Sequence, residues 1–304
     1  MTPSVSLRDV SRWYGNVVAL NRITFNLAPG VTGLLGANGA GKTTLLRLVA
    51  GFLAPSSGSV EVNGRPSWRY PGVYRDLGIV PEREDVYPFL TGREFVRASA
   101  VLHELPDPDA ATARAVEAVD LEAVQDRPIG TYSKGMRQRI KVAGALVHEP
   151  AVLLLDEPFN GVDPGQRLRL SELFRSYAEA GCIVVFSTHI LEELRELAEE
   201  VLVIVSGRLA ASGNLREIRR LMTDRPHTFT LRSTDDRSLA SALMAEASVS
   251  GVRLEDGRLV VQASDRRAFA VALPGVARER RVGLREVSPT DESIESVFSY
   301  LVDE

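Results

Sequence analysis

The sequence is short of cysteine and lysine, and of long apolar runs, and each shortage excludes something. Its single cysteine, Cys182, rules out an internal disulfide. The place of Cys182 in a strand-like run predicts a buried small hydrophobe rather than a catalytic thiol. Ala151–Leu155, Cys182–Phe186 and Val201–Val205 are apolar runs of five residues, against the roughly 20 that a membrane helix needs. No bilayer span is expected. The first ten residues carry Arg8 and Asp9 and no apolar stretch, so a secretory leader is not expected and a cytoplasmic chain is. Neither sign of charge dominates: 36 basic residues against 40 acidic ones give −4, without the basic excess that points to nucleic acid or acidic lipid. Within the basic set, however, 33 are Arg and only Lys42, Lys134 and Lys141 are Lys. Arg is a rigid planar fork and Lys a compact point charge, so each lysine calls for a local reason.

What is present is ordinary for a globular chain. Of 304 residues, 44% are apolar and 25% charged, and the length suggests about two domains. From residue 1 to 222, short apolar runs alternate with stretches of helical period, the pattern of an α/β domain. Strands are predicted over Val31–Leu35, Gly58–Val62, Leu77–Val80, Ala151–Leu155, Ile183–Ser187 and Val201–Val205. Most are continuous apolar runs, as in strands buried on both faces. Asn214 and Glu217 form a capping-box pair opening a helix over Leu215–Leu221. A linker is placed at Asp224-Arg225-Pro226, dividing 1–222 from 223–304. The second part reads as strand His227–Arg232, helix Arg237–Ala247, strand Val249–Leu254, a turn at Asp256-Gly257, strand Arg258–Gln262, helix Asp265–Leu273, strand Arg281–Val287 and helix Thr290–Val302. That order is the ferredoxin-like βαββαβ of an α+β domain, plus a helix. Its basic cluster, Arg278-Glu-Arg-Arg281, reads as a solvated face, since residues 224–304 hold 11 basic against 14 acidic side chains.

Chemistry concentrates first at Gly36-Ala-Asn38-Gly39-Ala40-Gly41-Lys42-Thr43-Thr44, which fits G-x-x-x-x-G-K-[ST] between an apolar strand and a helical stretch, Thr43–Val49. The glycines let successive backbone N–H groups turn inward around a phosphate, and the following helix aims its positive end at the same anion. Lys42 would reach the β- and γ-phosphates, and the Thr43 hydroxyl would hold Mg²⁺. By average residue usage this pattern arises by chance in about one chain per hundred of this size. Further on, the strand Val152-Leu-Leu-Leu155 ends in Asp156-Glu157. At the carboxyl edge of a parallel sheet, Asp156 fits the Mg²⁺ partner of Thr43, and Glu157 can orient or deprotonate a hydrolytic water.

Between these two lies Tyr132-Ser133-Lys134-Gly135-Met136-Arg137-Gln138-Arg139. This resembles the signature segment of ABC-transporter ATPases, usually written L-S-G-G-Q followed by R-Q-R. The order along the chain is also similar: Tyr14, the cradle, Glu82, the signature, Asp156-Glu157, Asn160-Gly161-Val162-Asp163 and Ser187-Thr188-His189. The resemblance covers residues 1 to about 220. It implies a P-loop NTPase domain with an antiparallel β subdomain and a helical subdomain at about 83–135, for which residues 91–127 have the composition. It implies that two copies sandwich two ATP, and that closure drives a separate transmembrane permease from the cytoplasmic face. Tyr14 would stack on adenine, with Trp13 beside it as competitor. Ser133 and Gly135 would bind the nucleotide of the opposite protomer, Asp163 would bridge protomers or merely cap its helix, and His189 would meet the γ-phosphate.

The sequence departs from the family pattern in two places. Glu82 stands where the family carries Gln, adding negative charge near the Mg²⁺ it would help to hold. Tyr132, Lys134 and Met136 replace Leu, Gly and Gln, and Lys134 either adds charge toward phosphate or sits on a solvated helix start. The terminal domain is similar to that of exporter ATPases. A non-transport ATPase acting on ribosomes or DNA, and an importer ATPase with a regulatory terminal domain, are the alternatives.

Overall fold

Residues 2–83, 86–214, 227–255 and 257–289 are described by the computed structural model. The chain divides into two units, Met1–Asn214 and Leu215–Glu304, each with its own core.

In the first unit the apolar runs become a six-stranded sheet with the order β10-β9-β3-β8-β7-β6. Its members are β3 (Gly30–Leu35), β6 (Leu77–Val80), β7 (Val152–Asp156), β8 (Ile183–Thr188), β9 (Glu200–Val205) and β10 (Arg208–Gly213). Strands β9, β3, β8, β7 and β6 are parallel, and β10 pairs antiparallel on the edge. Every residue of β7 and β8 is buried, as expected for strands covered on both faces. Helix α1 (Lys42–Val49) follows β3, while α5 (Pro164–Glu179) connects β7 to β8 and α6 (Leu191–Leu197) connects β8 to β9.

A second, antiparallel sheet has the order β2-β1-β4-β5, from β1 (Val5–Tyr14), β2 (Val17–Leu27), β4 (Ser57–Val62) and β5 (Arg65–Pro66). The run Gly58–Val62 therefore belongs here and not among the doubly buried parallel strands, and only Val60 and Val62 are fully buried. Its sheet presents one apolar face to the core, so alternation replaces continuous burial. The periodicity of β1 and β2 is broken in the sequence because their pairing carries register shifts after Leu7, Val10 and Arg12. Asp9 and Arg22 take positive φ at such a shift and pair at 2.8 Å.

Between β6 and β7 lie α2 (Gly92–Leu102), α3 (Pro108–Glu117) and α4 (Lys134–Leu146). Thr91 and Glu94 cap α2 reciprocally, Asp107 caps α3 and Ser133 caps α4. Cys182 is half-buried and precedes β8 rather than lying inside it, and burial raises its thiol pKa.

The second unit runs β11 (His227–Ser233), α7 (Asp236–Leu243), β12 (Val249–Glu255), β13 (Arg258–Ala263), α8 (Arg266–Glu279) and β14 (Leu284–Pro289). Its sheet has the order β12-β13-β11-β14, antiparallel throughout. Three expectations move. Helix α7 stops at Leu243, four residues short of the expected Ala247. Helix α8 does not stop before Pro274, because Val276 and Ala277 beyond it are buried with Phe269 and Leu273 in the core. The last strand starts three residues later than Arg281, which takes positive φ, while Gly283 N donates to Thr234 Oγ1. The helices expected at Leu215–Leu221 and Thr290–Val302, the linker at 224–226 and Asp256 lie outside the described residues.

Candidate functional site

Parallel register brings the predicted residues to one edge. Leu35 pairs with Thr188, Asp156 with Ser187 and Val80 with Leu155. The segments that follow β3, β8, β7 and β6 therefore leave the sheet side by side at its carboxyl end, where ligands of such sheets bind.

The loop after β3 is the glycine-rich cradle. Gly41 caps α1 at φ +113, and a Cβ there would lie 2.7 Å from Leu20 Cδ2 and 2.8 Å from Ala19 O. Backbone conformation and packing against β2 both demand glycine at that position. Ala37, Asn38 and Gly39 form the exposed tip, Ala40 is buried, and Thr43 and Thr44 are half-buried on the first turn of α1. Lys42 is only 6% exposed. Its ammonium folds back over the loop, donating to Gly36 O at 2.7 Å and standing 3.5 Å from Glu157 Oε1.

Glu157 is the centre of the cluster. It takes φ +50, a left-handed conformation that costs a residue with a Cβ on the order of 1–3 kcal/mol. Its backbone N donates to Ser187 Oγ at 2.9 Å, and Ser187 Oγ donates to Asp156 Oδ1 at 2.6 Å. One hydroxyl thus fixes both carboxylate-bearing residues. His189 Nδ1 lies 3.0 and 3.1 Å from the two carboxylate oxygens of Glu157. An ionised carboxylate only accepts, so Nδ1 carries the proton, and a phosphate oxygen at Nε2 would require a second ring proton. Thr188 Oγ1 donates to Glu193 Oε2 at 2.6 Å, and burial raises the Glu193 pKa against the pull of that bond.

Thr43, Glu82 and Asp156 line one cavity of about 280 Å³, together with Arg47, Phe52 and Pro81. These are the three residues expected around Mg²⁺. Among the described residues no group of three or more His, Cys, Asp and Glu could hold a metal by itself. A hydroxyl and two carboxylates facing one space are instead the hard oxygen donors that Mg²⁺ combines with substrate phosphates, so the donor set fits.

The other predicted residues are placed differently. Tyr14 ends β1 at 43% exposure, which excludes a core role, and the Arg12 guanidinium sits 4.7 Å from its ring centroid. One ring face is thereby covered by a cation. Trp13 is exposed beside it, with its backbone N donating to Ser56 Oγ. Ser133 accepts from Met136 N as the cap of α4, and Gly135 follows within the first turn. Lys134 is exposed at the first position of α4, the solvated helix start that was one of its two readings, and its Nζ donates to Asn160 Oδ1 at 2.9 Å. Asp163 accepts from Gln166 N and is, within one chain, the cap of α5. Sequence reading missed Ser187 as a positioning hydroxyl. Its signal was a serine ending an apolar strand in register with Asp156.

A strand, glycine-rich loop and helix facing two carboxylates at the end of a parallel strand one place removed in the same sheet define a nucleotide-hydrolysing P-loop domain. The family model described as ABC transporter matches residues 20–160. The chain is 32% identical over 308 residues to the daunorubicin resistance ATP-binding protein DrrA3 of Streptomyces coeruleorubidus, covering 98% of this chain and 95% of that protein. It is 34% identical over 228 residues to the Nod factor export ATP-binding protein I of Cupriavidus metallidurans, covering 72% and 73%. A solved ATP-binding subunit of an ABC transporter superposes with a TM-score of 0.66 at 29% identity, over 71% of this chain and 92% of that one. The chain belongs to the ABC transporter family, as an ATP-binding, ATP-hydrolysing subunit.

Proposed function

We propose that this chain works as a homodimer around two ATP on the cytoplasmic face of a membrane and powers export through a separate permease. The observation that carries the reading is the cluster of buried Lys42 and Glu157 with the exposed His189 ring on the Glu157 carboxylate, together with the cavity lined by Thr43, Glu82 and Asp156. Tyr14 stacks on adenine, the cradle from Gly36 to Thr44 holds the phosphates, and Ser133, Gly135 and Asp163 act across the dimer. Thr43, Asp156 and Glu82 would hold Mg²⁺, which when bound neutralises phosphate charge. Lys42 leaves its bond to Gly36 O for the phosphates, and Glu157 accepts the proton of the attacking water while His189 orients its carboxylate. Among the described residues no helix is long and apolar enough to cross a membrane. The relative named for Nod factor export supports the direction of transport.

The test is to isolate the Glu157→Gln protein with ATP from native membranes, measuring its mass by light scattering and identifying what accompanies it. A dimer with a polypeptide of several apolar spans, each about 20 residues long, is the expected result. Recovery with ribosomes or DNA and no membrane protein would move the chain to a non-transport role. A solute-uptake system as companion would make it an importer.

A further inference from the structure

Lys141, the third of the three lysines, lies in neither the cradle nor the signature, and the activity described so far does not use it. It is on the second turn of α4 and only 4% exposed. Its Nζ donates to Pro81 O at 2.7 Å and to Arg83 O at 2.9 Å. Those two carbonyls flank Glu82. The backbone that carries Glu82 is therefore held from behind by a buried cation, while Pro81, Glu82 and Arg83 line the cavity shared with Thr43 and Asp156.

The clasp has a second point. Seven residues further along the chain, His148 Nε2 meets Leu77 O at 3.0 Å. Leu77 starts β6 and Pro81 follows its end, so the α4 segment grips both ends of one short strand. A compact ammonium suits this place because two carbonyl oxygens converge on one point, where a planar guanidinium would spread its donors. The same helix begins at the Ser133 cap with Gly135 in its first turn, so signature and Glu82 segment are joined through one rigid element.

We propose that Lys141 is a positioning residue that fixes the Pro81–Arg83 backbone and so holds the Glu82 carboxylate toward Thr43 and Asp156. The proposal rests on the reading of Glu82 as part of the nucleotide and metal site. Lys141→Met keeps the aliphatic stem and removes the ammonium. Without nucleotide, hydrogen exchange of the peptide covering Ile79–Arg83 should speed up about tenfold, while that of Gly36–Thr43 stays as in the wild type. With ATP, kcat should fall about tenfold and half-saturating Mg²⁺ rise several-fold, with the ATP dissociation constant within about twofold. In a Glu82→Ala background the same substitution should cost no further turnover, because its effect runs through Glu82. Lys141→Arg, which restores the cation, should recover part of the loss, and its cycle with Glu82→Ala decides the matter if the Met variant does not fold. Unchanged exchange at Ile79–Arg83, or turnover losses that multiply in the double variant, would overturn the clamp. Faster exchange and a clean clamp with no effect of Glu82→Ala on Mg²⁺ dependence would instead overturn the reading of Glu82.

Discussion

At the scale of the residue, the site depends on a few side chains held in unfavourable states. Glu157 sits at positive φ with its carboxylate between Lys42 and His189, and the strain persists because Ser187 and strands β7 and β8 determine its backbone. Removing the acceptor should therefore separate chemistry from binding. Glu157→Gln is expected to lower ATP turnover by about 10²–10⁴-fold, the range of general-base catalysis, while calorimetry still detects ATP binding. Lys42→Ala should do the reverse, weakening ATP affinity by about 10–100-fold through the loss of charge-assisted hydrogen bonds. Equal turnover in the Gln variant would remove Glu157 from the reaction. The glycines and Lys42 of the cradle were legible in the sequence because their chemistry is local: eight consecutive residues carry it. Ser187 and the cation over Tyr14 were not, since each acts through a residue distant along the chain.

At the scale of the element, two segments behave against their local sequence. Helix α8 continues through Pro274, which lacks the donor for an intrahelical bond. Burial of Val276 and Ala277 outweighs that loss. Pro274 itself is exposed, so Pro274→Ala removes the defect without removing packing. The variant should stabilise the second unit by up to about 3 kcal/mol, read as a higher denaturant midpoint, and a lower midpoint would show that the helix depends on the proline. The second case is the segment after α4. His148 stacks on His103 with ring centroids 3.6 Å apart, and burial, then the neighbouring His103, push its pKa down to about 4. Burial also lowers the pKa of His103. A base whose folded pKa lies below its unfolded value of about 6.5 supports the fold fully above that value and loses its contribution as pH falls toward 4. Stability should decline between pH 6.5 and 4, and His148→Gln, which can still donate to Leu77 O, should flatten that decline in urea titrations. An identical decline in the variant would assign it to other groups. Neither histidine announced itself in the sequence, where they are 45 residues apart.

At the scale of the whole molecule, the sequence by itself determined the family, the carboxyl-edge strands and the phosphate cradle. Continuous apolar runs followed by glycine or by paired carboxylates are local patterns that burial on both faces and phosphate geometry impose. The βαββαβ order of the second unit was legible for the same reason, through alternation of period and a hairpin turn. Helix and strand ends moved by a few residues where caps, positive φ and core contacts overruled propensity. What only the tertiary structure decided is which distant groups meet. Parallel register joins Asp156 to Ser187 and sets Glu157 between Lys42 and His189. Packing of α4 on β6 carries Lys141 to the carbonyls on either side of Glu82. Periodicity encodes which face of an element is buried, but the partner across that face is chosen by the register and packing of elements far apart in the chain.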